Sequence, residues 1–452
     1  MEGLTTWRIV LSALLEDECE AERAIEIARG LREECPPGIQ LDVVFLSHGS
    51  SFDRKIEYDG FRIHHVTPPL PETEIYQTLN PTAENLVGNE ALAIELARGE
   101  VEALRELQPD AYIHGLWPVA GVAAKIAHVS AEFAYLPIPF APEPYSNYLM
   151  DEVSGPMQPK LSLSAEVRKF IFSRIPRKTK LKEPMLSQDN ILNAYRKITG
   201  KQDTPEIQNL FDMLKADLTV VSNFSSFYEE NPMPSGFMVT GPLFPSGEQF
   251  DEIDVKILQR FDPDNGTLKI FCPFSSSAGR AALLETVRAL SQEAGEWDSV
   301  VLCPRSVCYL EEAREAAGEN PHIYITDALV PQLRVSSMAD VCILNCEPET
   351  VQRAIASGTP IVGYGDRIDR QIYLDNLVKQ GSAVRVPVQD WQTEQIQAAV
   401  AAVGNDPSYR EHISKLQELQ QRENGRRKAA AAIWNYLHPI PYTYQPSENE
   451  NP

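Results

Sequence analysis

The sequence has few features of a membrane-spanning, secreted or nucleic-acid-binding protein. A transmembrane helix needs about 18 or more uninterrupted apolar residues, and the most apolar segment, 116–142, is interrupted by Lys125, His128 and Glu132. The first residues lack the basic start and apolar run of a secretory signal. Positive charge is scarce: 41 Lys and Arg stand against 64 Asp and Glu, a net charge of −23. Such a charge repels phosphate backbones and anionic headgroups, so we expect a cytoplasmic protein with no transmembrane segment and no nucleic-acid partner.

Paired cysteines are also missing. The seven cysteines are an odd number and scattered, with no Cys-x-x-Cys pair and no histidine at zinc-finger spacing. Several lie inside apolar runs that predict strands, where a free cysteine behaves as a small hydrophobe. The pattern predicts no metal site and no disulfide framework, and therefore a reducing compartment.

The chain contains two series of apolar strands alternating with amphipathic helices. Its 452 residues are enough for two or three domains, and strand–helix alternation predicts parallel sheets covered by helices. Ligands of such sheets bind beyond the carboxyl ends of the strands. We therefore expect an α/β protein with two Rossmann-like domains facing across a cleft that holds the functional site.

The predicted organisation has five parts, the first of which carries an insertion. In chain order they are a first domain over 1–240 with a helical basic insertion at about 146–205, a linker over 241–262, a second domain over 263–410, a helix over 411–438 that returns to the first domain, and a tail over 439–452. Within the insertion, residues 160–201 carry eleven Lys or Arg and three acids. This segment is either a solvated helical face or a lid that attracts an anionic ligand or a lipid-associated acceptor.

The glycine-rich motifs that bind dinucleotides or nucleoside triphosphates are absent, but two predicted helix N-termini offer anion-binding groups instead. Ser275 and Ser276 lie between a predicted strand and the helix that starts near Gly279, and Thr350 stands at the start of another helix. Main-chain amides backed by hydroxyls can hold a diphosphate. Ser and Thr are also ordinary helix N-caps, so the residue types alone leave both interpretations open.

One set of residues in the second domain has a characteristic spacing. In chain order these residues are Asn345, Thr350, Gly358-Thr359-Pro360, Asp369 and Gly381. This order resembles the donor-binding signature of the GT-B glycosyltransferases, which use nucleotide sugars: His-x-Gly, Ser or Thr, Gly-x-Pro, Asp or Glu followed by Gln, and a final Gly. The signature aligns from Asn345 to Gly381 without an insertion or deletion. The resemblance implies that Thr350 binds phosphate and that Asp369 binds the sugar.

Three further segments support the same resemblance. Leu329 and Gln332 take the first and last positions of the family's Trp-x-Pro-Gln, whose Trp stacks on the uracil. Pro273-Phe274-Ser275-Ser276 resembles the family's Ser-Phe-Gly-Ser loop, and Val239-Thr240-Gly241-Pro242-Leu243 resembles its Val-Gly-Pro-Leu. The resemblance covers essentially the whole chain. It implies the GT-B fold, a nucleotide sugar as co-substrate and no permanently bound cofactor. A UDP-sugar is the first choice of nucleotide sugar.

The sequence departs from the signature at five positions of the donor site. Asn345 replaces the His, Glu347 the following Gly and Leu329 the stacking Trp, while Arg353 and Arg370 replace a ribose-binding Glu and the Gln. An acid beside a diphosphate costs roughly 1–4 kcal/mol over about 4 Å, at water-like to surface-like dielectric. A guanidinium, at Arg353, Arg370 or Arg367, can replace the His as a phosphate partner. These changes imply an altered donor or none.

The acceptor side also differs from the family. Its members carry a His or Asp after the first strand as the base that takes the acceptor proton, and counting back from residues 28–31 places Glu20 there without the flanking Gly and Pro. A carboxylate near a hydroxyl can act as a general base, but Glu20 is equally a solvated residue of an acidic run. His114, at the end of a predicted strand, is a second candidate base with Glu20 as its partner, or else a structural histidine.

Two functions are open. The first is a glycosyltransferase that moves a sugar from a nucleotide sugar to a hydroxyl of a small hydrophobic acceptor and inverts the anomeric carbon. Its partners are then the nucleotide sugar and the acceptor. A homodimer is compatible with the sequence. The second keeps the fold without sugar transfer, as the partner of an active transferase or as a catalyst of another reaction on a small-molecule natural product.

Overall fold

The computed structural model describes most of the chain. The described residues are 5–15, 18–50, 52–71, 75–148, 184–229, 233–243, 252–275, 277–293 and 295–438. Four predicted features lie wholly or partly outside them: the insertion between 149 and 183, the linker between 244 and 251, the tail over 439–452, and Ser276. The described residues form two compact units. The first contains those up to 148, from 184 to 243 and from 424 to 438, and the second contains 252–423.

The first unit is built on a seven-stranded, all-parallel sheet. Its strands are β1 (Thr5–Ser12), β2 (Ile39–Ser47), β3 (Arg62–His65), β4 (Ala111–His114), β5 (Glu132–Leu136), β6 (Leu218–Val221) and β7 (Phe237–Val239). They are arranged in the order β3-β2-β1-β4-β5-β6-β7. The chain order reverses between β1 and β4, where Ser12 pairs with His114. This reversal defines a switch point at the carboxyl ends of the strands, the place where such sheets bind ligands.

Helices cover both faces of this sheet. They are α1 (Glu18–Glu33), α2 (Asp53–Tyr58), α3 (Ile75–Leu79), α4 (Glu90–Leu107), α5 (Pro118–Ala127), α6 (Pro142–Tyr148), α7 (Asp189–Thr199) and α8 (Leu210–Met213), with 3₁₀ turns at Pro184–Leu186 and Ser225–Phe227. Val10 packs in the apolar cluster of α4, α5 and α7, whereas Ile9 and Leu11 pack in the cluster of α1. Because successive side chains of a strand point to opposite faces, a strand buried on both faces is a continuous apolar run.

The second unit repeats this architecture with six parallel strands. They are β8 (Leu268–Cys272), β9 (Trp297–Leu302), β10 (Ile323–Thr326), β11 (Val341–Leu344), β12 (Ile361–Gly363) and β13 (Ala383–Arg385), in the order β10-β9-β8-β11-β12-β13. The chain order reverses between β8 and β11, so this unit has a switch point of its own. The predicted class, two Rossmann-like α/β sheets, is confirmed.

The helices of the second unit follow the strands in alternation. They are α9 (Val255–Arg260), α10 (Arg280–Gln292), α11 (Leu310–Ala317), α12 (Gln332–Ser337), α13 (Pro348–Ala356), α14 (Ile368–Lys379), α15 (Thr393–Asn405) and α16 (Pro407–Arg422), with 3₁₀ turns at Pro263–Asn265 and Val388–Asp390. Helix α9 lies within the stretch predicted as linker. No helix in the described part of the chain is long and apolar enough to cross a membrane.

The stretch predicted as one closing helix over 411–438 is two helices. Helix α16 ends at Arg422, and α17 (Gly425–Leu437) begins after Asn424, whose side chain accepts a hydrogen bond from the Arg427 amide. Asn is a strong N-cap, which explains the break. Helix α17 packs on α1 in the first unit, where Trp434 Nε1 donates to the Leu31 carbonyl at 3.0 Å. Gly30 permits this close approach, because a Cβ there would lie 2.6 Å from the Arg426 carbonyl oxygen.

Candidate functional site

The switch point of the second unit brings two of the predicted donor-site residues together. Ser275 follows β8 and Asn345 follows β11, which are neighbouring strands of the sheet. The Asn345 amide nitrogen donates to the Ser275 hydroxyl at 3.0 Å. Asn345 is fully buried. Its amide therefore links the two strands at the edge where a ligand of such a sheet binds.

A buried ion pair lies beside this contact. Glu347, the N-cap residue of α13, accepts hydrogen bonds from Arg370 Nη2 and from the Ser277 hydroxyl. Arg370 Nη2 also donates to Ser277 Oγ at 2.7 Å, and its Nη1 donates to both oxygens of Asp366 at 2.8 and 3.1 Å. The Arg370 side chain is only 3% exposed. Burial alone would raise the pKa of Glu347, but the Arg370 charge and the Ser277 hydrogen bond hold that pKa below its usual value.

The other two arginines of the site are also paired with carboxylates. Arg353 Nη2 forms an ion pair with Glu349, one turn earlier in α13, and its Nη1 donates to the Gln332 side chain at 3.1 Å. Arg367 donates to both oxygens of Asp369, at 3.1 and 2.7 Å. The Arg367 charge keeps the pKa of Asp369 low although its burial opposes this. The arginines predicted to replace the family His thus each have an acid of the same unit as partner.

Thr350 keeps the residue type of the family motif, whereas Leu329 does not. The Thr350 hydroxyl donates to the Glu347 carbonyl at 2.9 Å, so it must give up that carbonyl to donate to a phosphate oxygen. Leu329 is 80% exposed after β10, so an aliphatic side chain stands where the family stacks an aromatic ring on the base. Ser276 lies outside the described residues.

In the first unit, Glu20 lies at the switch point but is buried. Its Oε2 accepts from the Leu116 amide at 3.1 Å, and its Oε1 forms an ion pair with Arg23. Glu20 is 5% exposed, so the alternative that it is a solvated acid is wrong. Gly115 lies close beside it, and a Cβ there would be 1.9 Å from Glu20 Oε2, so a larger residue would displace the carboxylate.

His114 does not contact Glu20 in this arrangement. Its Nε2 lies 3.2 Å from Glu132 Oε1, and its Nδ1 lies 3.0 Å from the Gly115 carbonyl. Strand alternation places His114 on the face of Tyr112, which packs with α4 and α5, whereas Glu20 belongs to α1 on the opposite face. Partial burial opposes ionisation of Glu132, yet hydrogen bonding to His114 and the charge of nearby Lys125 lower its pKa.

The sequence interpretation missed a buried carboxylate in α4. Glu100 accepts from Ser12 Oγ at 3.0 Å, from Tyr112 Oη at 2.9 Å and from Trp117 Nε1 at 2.8 Å, and lies 3.7 Å from His48 Nε2. Burial, and next the Glu100 charge, raise the pKa of Tyr112 well above its usual value, so its hydroxyl remains a donor. The available signal was an acid on the apolar face of a predicted helix. Its contacts tie β1, β4 and the start of α5 together at the carboxyl edge.

Acid is expected to destabilise the second unit through Glu347 and Asp369. Their folded-state pKa values lie below the unfolded values of about 4.3 and 3.9. They therefore contribute stability that is present above those unfolded values and is lost as the pH falls through the folded ones. Each carboxylate accounts for at most about 1.4 kcal/mol per pH unit in that window.

Thermal unfolding between pH 7 and pH 3 measures this effect, with Glu347→Gln as the comparison. The variant cannot titrate at that position, so its midpoint should depend less steeply on pH below pH 4.5. Equal slopes in the wild type and the variant would contradict the assignment to Glu347.

Comparison with known proteins gives matches to glycosyltransferases. No family model matches the chain. The chain is 26% identical to the oleandomycin glycosyltransferase of Streptomyces antibioticus over 149 residues. This stretch makes up 33% of each of the two chains. It is 26% identical to the NDP-glycosyltransferase YjiC of Bacillus subtilis (strain 168) over 123 residues. This stretch makes up 27% of this chain and 31% of YjiC. The chain thus spans about a third of the length of the curated relatives it matches.

Solved structures match over almost the whole chain. The glycotransferase of kitacinnamycin superposes with a TM-score of 0.64 at 18% identity and covers 95% of this chain and 99% of its own. Os79 from O. sativa in complex with UDP gives 0.63 at 14%, and the spinosyn rhamnosyltransferase SpnG complexed with thymidine diphosphate gives 0.54 at 13%, each covering 95% of this chain and 100% of its own. The predicted resemblance to GT-B glycosyltransferases is confirmed, and at these identities the structural matches show the fold.

Proposed function

We propose that this chain, which has the fold of the GT-B glycosyltransferases, transfers a sugar from a nucleotide sugar to a hydroxyl of a small hydrophobic acceptor and inverts the anomeric carbon. A uridine nucleotide is the first choice of donor. The observation that carries the proposal is the switch point of the second unit, where Ser275, Asn345 and the start of α13 converge. Matching glycosyltransferase structures with bound UDP and thymidine diphosphate support it.

In this proposal the second unit binds the donor. The N-terminal end of α13 carries a partial positive charge, and Thr350 and Ser275 supply hydroxyls to the diphosphate. Asp369 accepts hydrogen bonds from the sugar hydroxyls. As the bond between sugar and phosphate breaks, the helix end stabilises the charge that develops on the departing diphosphate.

The first unit provides the general base in this proposal. Glu20 lies at the carboxyl end of β1, and Arg23 and the Leu116 amide fix the orientation of its carboxylate. To take a proton from the acceptor hydroxyl, Glu20 must exchange the Leu116 hydrogen bond for one from the acceptor. His114 is the less favoured base because Glu132 and the Gly115 carbonyl engage both of its ring nitrogens.

One observation favours the second candidate function, a protein of this fold without sugar transfer. Arg353, Arg367 and Arg370 all form ion pairs with acids of the same unit. Leu329 also has no aromatic ring that could stack on the nucleobase of a donor. A chain of this kind would act as the partner of an active transferase, or on another reaction of a small-molecule natural product.

Nucleotide binding separates the two candidates. We expect UDP or a UDP-sugar at about a hundred times its dissociation constant to stabilise the wild type by about 2.7 kcal/mol, measured by thermal shift beside dTDP, GDP and their sugars. Thr350→Ala should reduce the ligand-induced shift. Thr359→Ala is the matched control, because it also removes a buried hydroxyl that donates to a main-chain carbonyl. In Thr359 the acceptor is the Ser336 carbonyl.

The outcomes are distinct. If millimolar nucleotides leave the melting temperature unchanged and no acceptor gains a sugar, the function without sugar transfer takes over. If Thr350→Ala and Thr359→Ala respond to nucleotide alike, the assignment of Thr350 to the phosphate is wrong. Incubation with nucleotide sugars and candidate acceptors, followed by mass spectrometry for the gain of a hexose, then identifies the substrates.

A further inference from the structure

The donor site of the second unit is negatively charged before any ligand arrives. Its described ionisable side chains around α13 and the start of α14 are four carboxylates and three guanidiniums: Glu347, Glu349, Asp366 and Asp369, with Arg353, Arg367 and Arg370. Their charges sum to −1. A diphosphate adds further negative charge, so the pairs as they stand do not favour its binding.

Glu347 differs from the other three acids in what it binds. Glu349 pairs with Arg353 of its own helix, Asp369 pairs with Arg367, the N-cap residue of its helix, and Asp366 pairs with Arg370 four residues on. Glu347 instead connects two segments, because its carboxylate accepts from Arg370 in α14 and from Ser277 after β8. Its pKa is lowered, so it is an anion at neutral pH.

These two donors are of the kind that hold phosphate oxygens. Charge-assisted hydrogen bonds from Arg and hydroxyl groups are the usual contacts of a phosphate, and Arg370 Nη2 and Ser277 Oγ are 2.7 Å apart and converge on one oxygen. They lie beside the N-terminal end of α13, which favours negative charge. The Arg370 side chain is buried, and Asp366 holds its other terminal nitrogen, so it has little freedom to reach a second anion elsewhere.

We propose that Glu347 is an internal competitor of the donor: its carboxylate takes the place of a phosphate oxygen on Arg370 and Ser277, and a diphosphate binds only by displacing it. This rests on the proposed function and adds a residue that determines donor affinity. Two anions cannot share the same two donors without strong repulsion. The wild-type site is therefore a weak binder of diphosphates, and the substitution of one side chain converts it into a stronger one.

The test measures binding of UDP and of inorganic pyrophosphate to the full chain by isothermal titration calorimetry. Glu347→Gln removes the charge at nearly constant volume, and we expect at least tenfold tighter binding of both ligands. Glu347→Gly is the second variant, because Gly is tolerated at a helix N-cap and it clears the space completely. Circular dichroism and thermal unfolding confirm that each variant is folded.

Glu349→Gln is the matched control. It removes one negative charge from the same helix, two residues away, but from the carboxylate that pairs with Arg353 rather than Arg370. A general electrostatic effect would tighten binding equally in both variants, whereas competition at Arg370 requires a clearly larger gain in Glu347→Gln. Adding Arg370→Met to Glu347→Gln should abolish the gain.

The results separate the inference from the function on which it rests. If folded Glu347→Gln and Glu347→Gly bind UDP and pyrophosphate no more tightly than the wild type or Glu349→Gln, the inference is overturned, whether or not the wild type transfers sugar. If both variants gain affinity while the wild type transfers no sugar to any acceptor, the inference holds and the proposed function fails.

Discussion

Replacing Glu20 by glutamine is expected to lower sugar transfer by about 10²–10⁴-fold, the usual loss when a general base is removed. The amide has nearly the same shape and can still accept from the Leu116 amide, but it cannot take the acceptor proton. The fall should appear in kcat, with little change in the affinity for the donor. Turnover of an identified acceptor, followed by mass spectrometry, measures it.

Glu22→Gln is the matched control for this experiment. Glu22 lies in the same helix and is also buried and paired, with Lys55. If Glu20 has only a structural role, the two variants should both lower the melting temperature and both keep turnover. Full turnover in Glu20→Gln would therefore reject Glu20 as the base.

Replacing Trp434 by alanine is expected to lower the free energy of unfolding of the first unit by about 3–5 kcal/mol, the range for a large buried aromatic side chain. The Trp434 ring is fully buried between α17 and α1, it meets Trp7 at a centroid distance of 6.2 Å, and its Nε1 satisfies the Leu31 carbonyl. Alanine leaves a cavity and removes that donor. Urea unfolding with hydrogen exchange of the α1 amides measures the loss.

Tyr436→Ala, in the same helix, gives the comparison. Tyr436 is half exposed and contacts the edge of the Phe133 ring at 5.3 Å, so its removal should cost about 1 kcal/mol. Equal effects of the two substitutions would show that α17 is held by something other than the buried Trp434 ring.

The strands could be predicted closely because each is a short apolar run buried on both faces. The apolar runs at 111–114, 218–221 and 323–326 each predict a strand, and β4, β6 and β10 have these bounds in the structure. Helix boundaries were less predictable. The helical spacing of apolar residues over 83–107 predicts one helix, but α4 begins only at Glu90, because the side chain of Asn89 accepts from the Leu92 amide and caps it. Asn424 breaks the closing helix in the same way.

The candidate site was predictable in position and not in its contacts. The motif spacing places Asn345 and Thr350 at the end of β11 and the start of α13, and Gly358 has the positive φ of 68° that a residue ending a helix favours. The pairing of Glu347 with Arg370 and Ser277 depends on which strands are neighbours and on how side chains cross between loops. Sequence distances of 23 and 70 residues give no signal for it.

The position of α17 has a consequence for synthesis on the ribosome. Leu31 and Trp434 are 403 residues apart, and at about 5–20 residues per second the ribosome adds the second after roughly 20–80 s. During that interval the apolar face of α1 that α17 later covers is exposed on the nascent chain. We expect the second unit, which is contiguous over its described residues, to complete its fold before the first does.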